Sequence, residues 1–354
     1  MWFPNAEVAV NPALLLLLGV MVGTLSGFFG VGGGFLITGG LLVFGVPPVF
    51  AVGTGLALIM GSSIINTLKH RHLGNVDLRL GMLMLIGTMP GVFLAEQLNS
   101  TLEEAGIVGP VIRYVYILFL GALGGFIVND YLKIRRAPKS EGEAISTASL
   151  ARRVQAMRIP PHSIWLPGKG KIPTYVSLPV SGIERLSVFI PIGVGFGVGF
   201  FAGLLGAGGG FLLMPALIFG LGVPTTVAIG TDLFQIIVTG SWGTFIYAMS
   251  HNVDAKMAII MLGAASVGSQ LGASATKFVE PARIRILYGI TILGGGVAVA
   301  LEQVSTFSHS VEFLSTVASV VLLGVAGAMC LVIMGMMIKA KRENHDRDLA
   351  PDDD

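Results

Sequence analysis

The sequence predicts an all-α polytopic membrane protein. It is expected to contain two inverted repeats, each with a glycine-broken helix pair and three spanning helices, and one extra C-terminal span. Three observations predict this class: an apolar composition, a series of long apolar runs, and an internal repeat. Of the 354 residues, 53% are hydrophobic and only 12% are charged, and the mean hydropathy is +0.81. Because soluble domains carry about 25% charged residues, the composition excludes an ordinary soluble enzyme.

Apolar runs divide the chain into two membrane units. A spanning helix needs about 20 mostly apolar residues. Such runs, two of them shortened beside glycine clusters, lie at 11–30, 35–46, 50–68, 78–98, 111–132, 188–205, 211–223, 226–249, 255–278, 284–301 and 311–338. The predicted organisation is a first membrane repeat (1–132), a cytoplasmic basic linker (133–187), a second membrane repeat (188–301), an extra transmembrane helix (302–338) and a cytoplasmic tail (339–354).

The first unit recurs in the second, in the same order and at a nearly constant offset. The recurring segments are GFFGVGGGF at 27–35 and GLLGAGGGF at 203–211, AVGT at 51–54 and AIGT at 228–231, and NVD at 75–77 and 252–254. Each unit has an odd number of crossings, so the second unit is expected to enter the membrane from the opposite face. Inverted repeats are typical of secondary transporters. The alternative is an old duplication without a transport role.

Basic residues orient the chain. Of the 22 Lys and Arg residues, 20 lie in four regions: the loop around residue 71, the central linker, the loop around residue 283 and the C-terminal tail. Counting crossings places all four regions on one side, which short basic loops mark as cytoplasmic. The prediction is therefore an integral protein of the cell (inner) membrane, with its N-terminus outside and its C-terminus in the cytoplasm.

Two glycine clusters are the first candidate site. They consist of Gly30, Gly32, Gly33 and Gly34 in the first unit and Gly206, Gly208, Gly209 and Gly210 in the second. Each glycine costs a helix up to about 1 kcal/mol relative to alanine, so the helices are expected to break there. The helix that restarts after each break would present free N–H groups and a positive dipole end to an anion. Close helix packing through small residues is the competing interpretation.

Polar side chains inside the spans extend this candidate site. Thr54 and Thr231 are predicted to bind the anion together with the glycines. Asp232 is a candidate for coupling, with Gln235 one turn away, because an ionisable residue within a membrane span is a functional candidate by default. A headgroup-level Asp that caps its helix is the alternative. Hydroxyl and amide side chains such as Ser63 and Asn66 could line a pore.

Other classes of function find no support in the sequence. The net charge of +2 offers no basic face for nucleic acid. A single cysteine, Cys330, and scattered histidines suggest no metal site, and no cofactor is expected. Asp232 has no accompanying nucleophile–base pair, so no enzymatic activity is expected.

The duplicated glycine cluster, the Ala-Val/Ile-Gly-Thr segments and Gly74-Asn-Val-Asp77 together resemble the sulfite exporter TauE/SafE family of permeases. The resemblance covers both membrane units. It implies transport of small sulfur-containing anions such as sulfite, thiosulfate or organosulfonates. The residues that match the family's motifs, and that the resemblance implies as site residues, are Gly30–Phe35, Thr54, Gly206–Phe211 and Thr231. Many members of that family have Ser after this Thr, whereas this chain has Gly55 and Asp232.

The sequence therefore predicts a secondary transporter that works by alternating access and is driven by an ion gradient, the substrate gradient or the membrane potential, with a proton or cation as a candidate coupling ion. Its expected partners are the small anion, this coupling ion and membrane lipid. Two alternatives stay open: an anion channel, and an intramembrane sensor or enzyme that uses Asp232. The exact substrate, the direction of transport, the coupling ion and the oligomeric state also stay open.

Overall fold

The protein is a bundle of long apolar helices. The computed structural model describes residues 1–71, 74–136, 152–157, 163–166, 170–206, 208–307 and 313–348. Within these residues, seven helices are long and apolar enough to cross a membrane. Large apolar side chains also cover the outer surface: Leu118 is 73% exposed and Leu331 is 72% exposed. A bundle that presents so much apolar surface is suited to lipid, and the predicted class, an all-α polytopic membrane protein, is confirmed.

The helices follow the predicted runs closely. In the first unit they are α1 (Pro12–Phe29), α2 (Gly34–Val43), α3 (Pro48–Arg71), α4 (Leu78–Glu104) and α5 (Val108–Arg136). In the second they are α6 (Phe189–Leu205), α7 (Gly210–Pro215), α8 (Thr225–Met249), α9 (Ala255–Ala275) and α10 (Pro281–Phe307), and the extra helix is α11 (Phe313–Asp348). A π-helical turn, Ala216–Leu221, continues α7, and a 3₁₀ turn, Thr276–Phe278, ends α9.

Short β-hairpins precede both membrane units. Strands β1 (Trp2–Phe3) and β2 (Val8–Ala9) pair before α1, and β5 (Tyr175–Leu178) and β6 (Ile183–Ser187) pair before α6. A further hairpin joins β3 (Ser163–Leu166) to β4 (Gly170–Pro173). Parts of the predicted basic linker (137–151, 158–162 and 167–169) and the end of the predicted tail (349–354) lie outside the described residues.

The two units pack closely against each other, and two helix pairs make the largest contacts. Helix α1 lies along α9, and α6 lies along α4. Glycines allow this close approach: a Cβ atom on Gly23 would overlap the backbone of Ala265, and one on Gly199 would overlap that of Thr88. The two pairs are equivalent in the repeat, since α1 corresponds to α6 and α4 to α9. The contacts between the units are therefore reciprocal.

Equivalent helices that touch one another run antiparallel. Along the contact between α3 and α8, Gly53 lies by Tyr247 and Gly240 lies by Met60, so the residue numbers rise in one helix as they fall in the other. Helices α5 and α10 are also antiparallel, since Leu120 lies by Gly296 and Gly124 lies by Leu293.

The extra helix α11 packs mainly on α10 and also contacts α2. Its Val325 lies against Gly294, and its Leu322 lies close to Gly40. The repeat-equivalent positions are Ala122 and Ala216, and both line an open apolar groove of about 530 Å³ between α5 and the α7 segment. The extra helix thus breaks the equivalence of the two units on their outer surface.

Candidate functional site

Both glycine clusters interrupt a helix deep in the bundle. Helix α1 ends at Phe29 and α2 begins at Gly34, while α6 ends at Leu205 and α7 begins at Gly210. Gly30 and Gly33 have φ angles of +74° and +70°, a left-handed conformation that glycine adopts without steric cost. The equivalent Gly206 and Gly209 share this conformation and are likewise buried.

The space between the two clusters is filled by isoleucine side chains. A Cβ atom on Gly32 would lie 3.1 Å from Ile236 Cδ1, and one on Gly208 would overlap Ile59 Cδ1. Ile59 and Ile236 are themselves equivalent in the repeat. A Cβ atom on Gly210 would lie 2.5 Å from the carbonyl oxygen of Val31, so the two clusters approach each other closely. In this conformation the isoleucines pack against Gly32 and Gly208, as the close-packing interpretation expects, and Ser63 Oγ lies 3.5 Å from the Cβ position of Gly32.

The two threonines bind backbone across the repeat. The Asp254 backbone N–H donates to Thr54 Oγ1, and the Asp77 N–H donates to Thr231 Oγ1, both at 3.0 Å. Both threonines are fully buried. Each therefore holds the start of a helix from the other unit. The contact gives Thr54 and Thr231 a structural role, and their role as anion ligands stays a prediction. The repeated Asn-Val-Asp motif was the signal for this contact, because Asp is a common N-cap residue.

The two capping aspartates differ in their remaining contacts. Asp77 Oδ1 accepts from Leu80 N–H, and Asp254 Oδ1 accepts from Met257 N–H, each at 3.0 Å. The hydroxyl of Ser181, in the turn between β5 and β6, also donates to Asp77 Oδ2 at 2.6 Å. Asp254 Oδ2 is buried without a hydrogen-bond partner among the described residues. Among the described residues, the β5–β6 hairpin, which we call the linker hairpin, therefore bonds to the capping aspartate of α4 and not to that of α9.

A stripe of oxygen-bearing side chains runs along one face of α8. It consists of Asp232, Gln235 and Thr239, which are 0%, 1% and 1% exposed. Among the described residues, both Asp232 carboxylate oxygens, Gln235 Oε1 and Thr239 Oγ1 have no hydrogen-bond partner. The Gln235 amide donates to Thr88 Oγ1 at 2.7 Å. The N-cap of α8 is Pro224, so the alternative that Asp232 caps its helix at the headgroup level is wrong.

A second buried carboxylate, Glu96, is fully engaged by comparison. Ser250 donates to Glu96 Oε1 at 2.6 Å, and Ser100 donates to the same oxygen at 3.1 Å. Gln97 donates to Glu96 Oε2 at 3.0 Å. Asp232 thus stands apart from Glu96 as a buried carboxylate without donors. Within the described part of the chain, no group of three or more His, Cys, Asp and Glu side chains could hold a metal ion.

The long apolar helices, the reciprocal packing of two related units and the polar side chains buried between them define a polytopic membrane transporter. The family model described as Sulfite exporter TauE/SafE matches residues 15–299, and a second match covers 190–341. The chain belongs to this family, as its motifs indicated.

Curated relatives carry transporter names. The chain is 23% identical to the "Probable membrane transporter protein YunE" of Bacillus subtilis over 288 residues, which are 79% of this chain and 94% of that protein. It is 24% identical to the "Probable membrane transporter protein MJ0441" of Methanocaldococcus jannaschii over 296 residues, 79% of this chain and 92% of that protein. A "Probable membrane transporter protein" of Xylella fastidiosa is 32% identical over 105 residues, which are 29% of this chain and 40% of that protein. No solved structure matches the chain significantly.

Proposed function

We propose that the protein is a secondary transporter of small sulfur-containing anions such as sulfite, thiosulfate or organosulfonates, and that it works by alternating access in the cell (inner) membrane. The observation that carries the proposal is the relation between the units: equivalent helices that touch run antiparallel, while α1 and α6 each pack on a helix of the other unit. This relation supports an inverted repeat, the architecture in which one bundle of helices moves against another about a central site. The N-terminus would then lie outside and the C-terminus in the cytoplasm, as the basic loops predict.

The packing suggests which parts move together. Helices α1 and α9 form one closely packed pair, and α4 and α6 form the other. Each pair combines one helix from each unit, so either pair can move as a body. Between the pairs lie α3, which packs on α9, and α8, which packs on α4. Their isoleucines, Ile59 and Ile236, fill the space between the glycine clusters. In this proposal the present conformation closes the glycine bends to both sides of the membrane. Separation of the α1–α9 pair from the α4–α6 pair on one side then opens the bends to that side.

Asp232 supplies the coupling site. An ionised carboxylate in an apolar interior costs several kcal/mol unless it is compensated, and no described donor compensates this one. Binding of a proton or a small cation removes that cost, and the oxygens of Gln235 and Thr239 offer further ligands on the same face of the helix. The equivalent residue in the first unit is Gly55, so the first unit has no carboxylate at this position.

Reconstitution in liposomes tests the transport proposal. Labelled sulfite, thiosulfate and methanesulfonate are supplied in turn, and both net uptake and exchange against unlabelled internal anion are measured. We expect saturable uptake of at least one anion and acceleration by internal substrate, which is the signature of a carrier. Absence of flux for all three anions would contradict the proposal, and flux without saturation accompanied by unitary currents would replace the carrier with a channel.

The coupling role is tested with Asp232→Asn and a matched control, Glu96→Gln. The first substitution neutralises the unpartnered carboxylate, and the second neutralises a buried carboxylate that already has donors. We expect Asp232→Asn to abolish accumulation driven by a proton or sodium gradient while exchange of anion for anion continues. Glu96→Gln is expected to retain gradient-driven accumulation. Unchanged accumulation in Asp232→Asn would remove this carboxylate from the coupling mechanism.

A further inference from the structure

A group of four uncharged polar side chains lies beside the first glycine bend. We call it the serine–asparagine cluster, and it consists of Ser26 on α1, Ser63 and Asn66 on α3, and Ser269 on α9. Asn66 is 1% exposed and the three serines are fully buried. Three helices from both units thus bring their polar groups to one point inside a largely apolar bundle. Buried polar groups are costly unless they are hydrogen-bonded, so the cluster calls for an explanation.

Hydrogen bonding leaves this cluster with unused donors. The Asn66 amide nitrogen donates to Ser26 Oγ at 3.1 Å and to Ser269 Oγ at 3.5 Å. While its oxygen accepts from Asn66, each of these hydroxyls keeps one proton that it can donate to a third group. Ser63 Oγ has no hydrogen-bond partner among the described residues. Three hydroxyl groups can therefore donate to a molecule placed among them.

The cluster faces the start of α2. Ser63 Oγ lies 3.5 Å from the position that a Cβ atom would take on Gly32, and Ser26 Cβ lies 3.5 Å from the corresponding position on Gly33. Gly33 is the N-cap of α2, and it offers no side chain to satisfy the first N–H groups of that ten-residue helix. The first N–H groups of a helix lack partners within it and carry the positive end of its dipole. The free hydroxyls and the helix start thus meet at one bend.

Only one of the two bends has this cluster. The residues of the second unit that are equivalent to Ser26, Ser63 and Asn66 are Ala202, Gly240 and Gly243, and the first-unit residue equivalent to Ser269 is Val92. The duplicated architecture therefore does not itself require these polar groups, since the other copy of the bend is built without them. The stripe on α8 is distributed the opposite way: Asp232 and Gln235 correspond to Gly55 and Leu58. Three hydroxyl groups gather at the first bend together with Asn66 Oδ1, which has no partner among the described residues, whereas the carboxylate of Asp232 lies on the second unit's helix.

We propose that the serine–asparagine cluster and the start of α2 form the anion-binding site of the transporter, with the α8 stripe serving the coupling ion separately. This inference rests on the proposed function and assigns the anion and the coupling ion to two separate sites. The ligand is a small oxyanion whose oxygens accept from the three hydroxyls and the helix N–H groups. None of the four side chains of the cluster is cationic, so in this proposal the anion is held by hydroxyl and helix dipoles. Because no ion pair has to be broken, the carrier can release the anion on the other side of the membrane.

Ser63→Ala is the sharpest test, because this hydroxyl has no hydrogen-bond partner to lose among the described residues. We expect the melting temperature of the variant to stay the same or to rise. We also expect the dissociation constant for sulfite, measured by calorimetry in lipid nanodiscs, to rise about ten-fold. A purely structural hydroxyl would not change anion affinity. Asn66→Leu removes the amide that organises Ser26 and Ser269, and it is expected to weaken sulfite binding more than ten-fold. The control is Ser266→Ala on α9, whose hydroxyl bonds Leu262 within its own helix and whose loss should leave sulfite affinity unchanged.

The outcomes separate this inference from the transport proposal. If the wild-type protein carries sulfite and the Ser63 and Asn66 variants bind it as tightly as the wild type, the site lies elsewhere and the transport proposal stands. If the wild-type protein binds sulfite through the cluster but carries none, the site stands and the transport proposal fails. Wild-type protein that neither binds nor carries sulfite, thiosulfate or methanesulfonate would overturn both.

Discussion

The two capping aspartates make a quantitative prediction, because they occupy equivalent positions but have different partners. Replacing Asp77 or Asp254 by alanine removes one N-cap, which costs about 1 kcal/mol in each case. Asp77→Ala also removes the acceptor for Ser181, and a hydrogen bond to a charged group contributes about 1.5–3 kcal/mol. Since Asp254 Oδ2 has no described partner, Asp77→Ala should cost about 2 kcal/mol more than Asp254→Ala.

Reversible unfolding in mixed detergent micelles, followed by tryptophan fluorescence, measures both free energies. Ser181→Ala completes a double-mutant cycle with each aspartate. We expect a coupling energy of about 2 kcal/mol between Ser181 and Asp77, and none between Ser181 and Asp254. If the two aspartate substitutions lowered the unfolding free energy equally, or if the effects of Ser181→Ala and Asp77→Ala were additive, the stabilising contact between Ser181 and Asp77 would be refuted.

Three further substitutions and one control test the packing between the units. Gly199→Val should prevent α6 from packing on α4, because the valine side chain would overlap the backbone of α4. Gly197→Val, the control, has open space around it and should fold normally. Size-exclusion chromatography distinguishes the two, since only the folded variant should be monodisperse. Tyr247→Phe removes a 2.6 Å hydrogen bond with Asn99 and should lower the unfolding free energy by about 1–3 kcal/mol in the same micelle assay. Thr231→Val leaves a buried backbone N–H without its acceptor and should cost a similar amount, and an unchanged unfolding free energy would contradict the contact across the repeat.

The sequence allowed most of the helices to be predicted, because a helix in lipid must be long, apolar and internally hydrogen-bonded. The predicted run 226–249 became Thr225–Met249, and the break at Gly30 to Gly34 is where α1 and α2 separate. The predicted run 211–223 does not form one regular helix. It became a short helix that ends at Pro215 and continues as a π-helical turn, since proline lacks the N–H that a regular α-helix needs.

The contacts between the units could not be predicted from composition or periodicity. Thr54 and Thr231 attracted attention as polar residues within apolar spans, but their backbone partners at Asp254 and Asp77 come from the other unit, 200 and 154 residues away. The hairpin that carries Ser181 was missed for a related reason. Its strands are only four and five residues long, so they give no periodic signal inside a basic linker.

The relative orientation of the two units is the central claim, and it can be measured by labelling with a membrane-impermeant thiol reagent. Single cysteines are placed at Ala105, in the turn between α4 and α5, and at Glu280, in the equivalent turn between α9 and α10, in a Cys330→Ser background. Both positions are exposed. Inverted units require the cysteine at 105 to react only from the outside of intact cells and the cysteine at 280 only from the cytoplasmic side of inside-out vesicles. Reaction of both cysteines from the same side would show that the units are parallel and would contradict the proposed alternating-access mechanism.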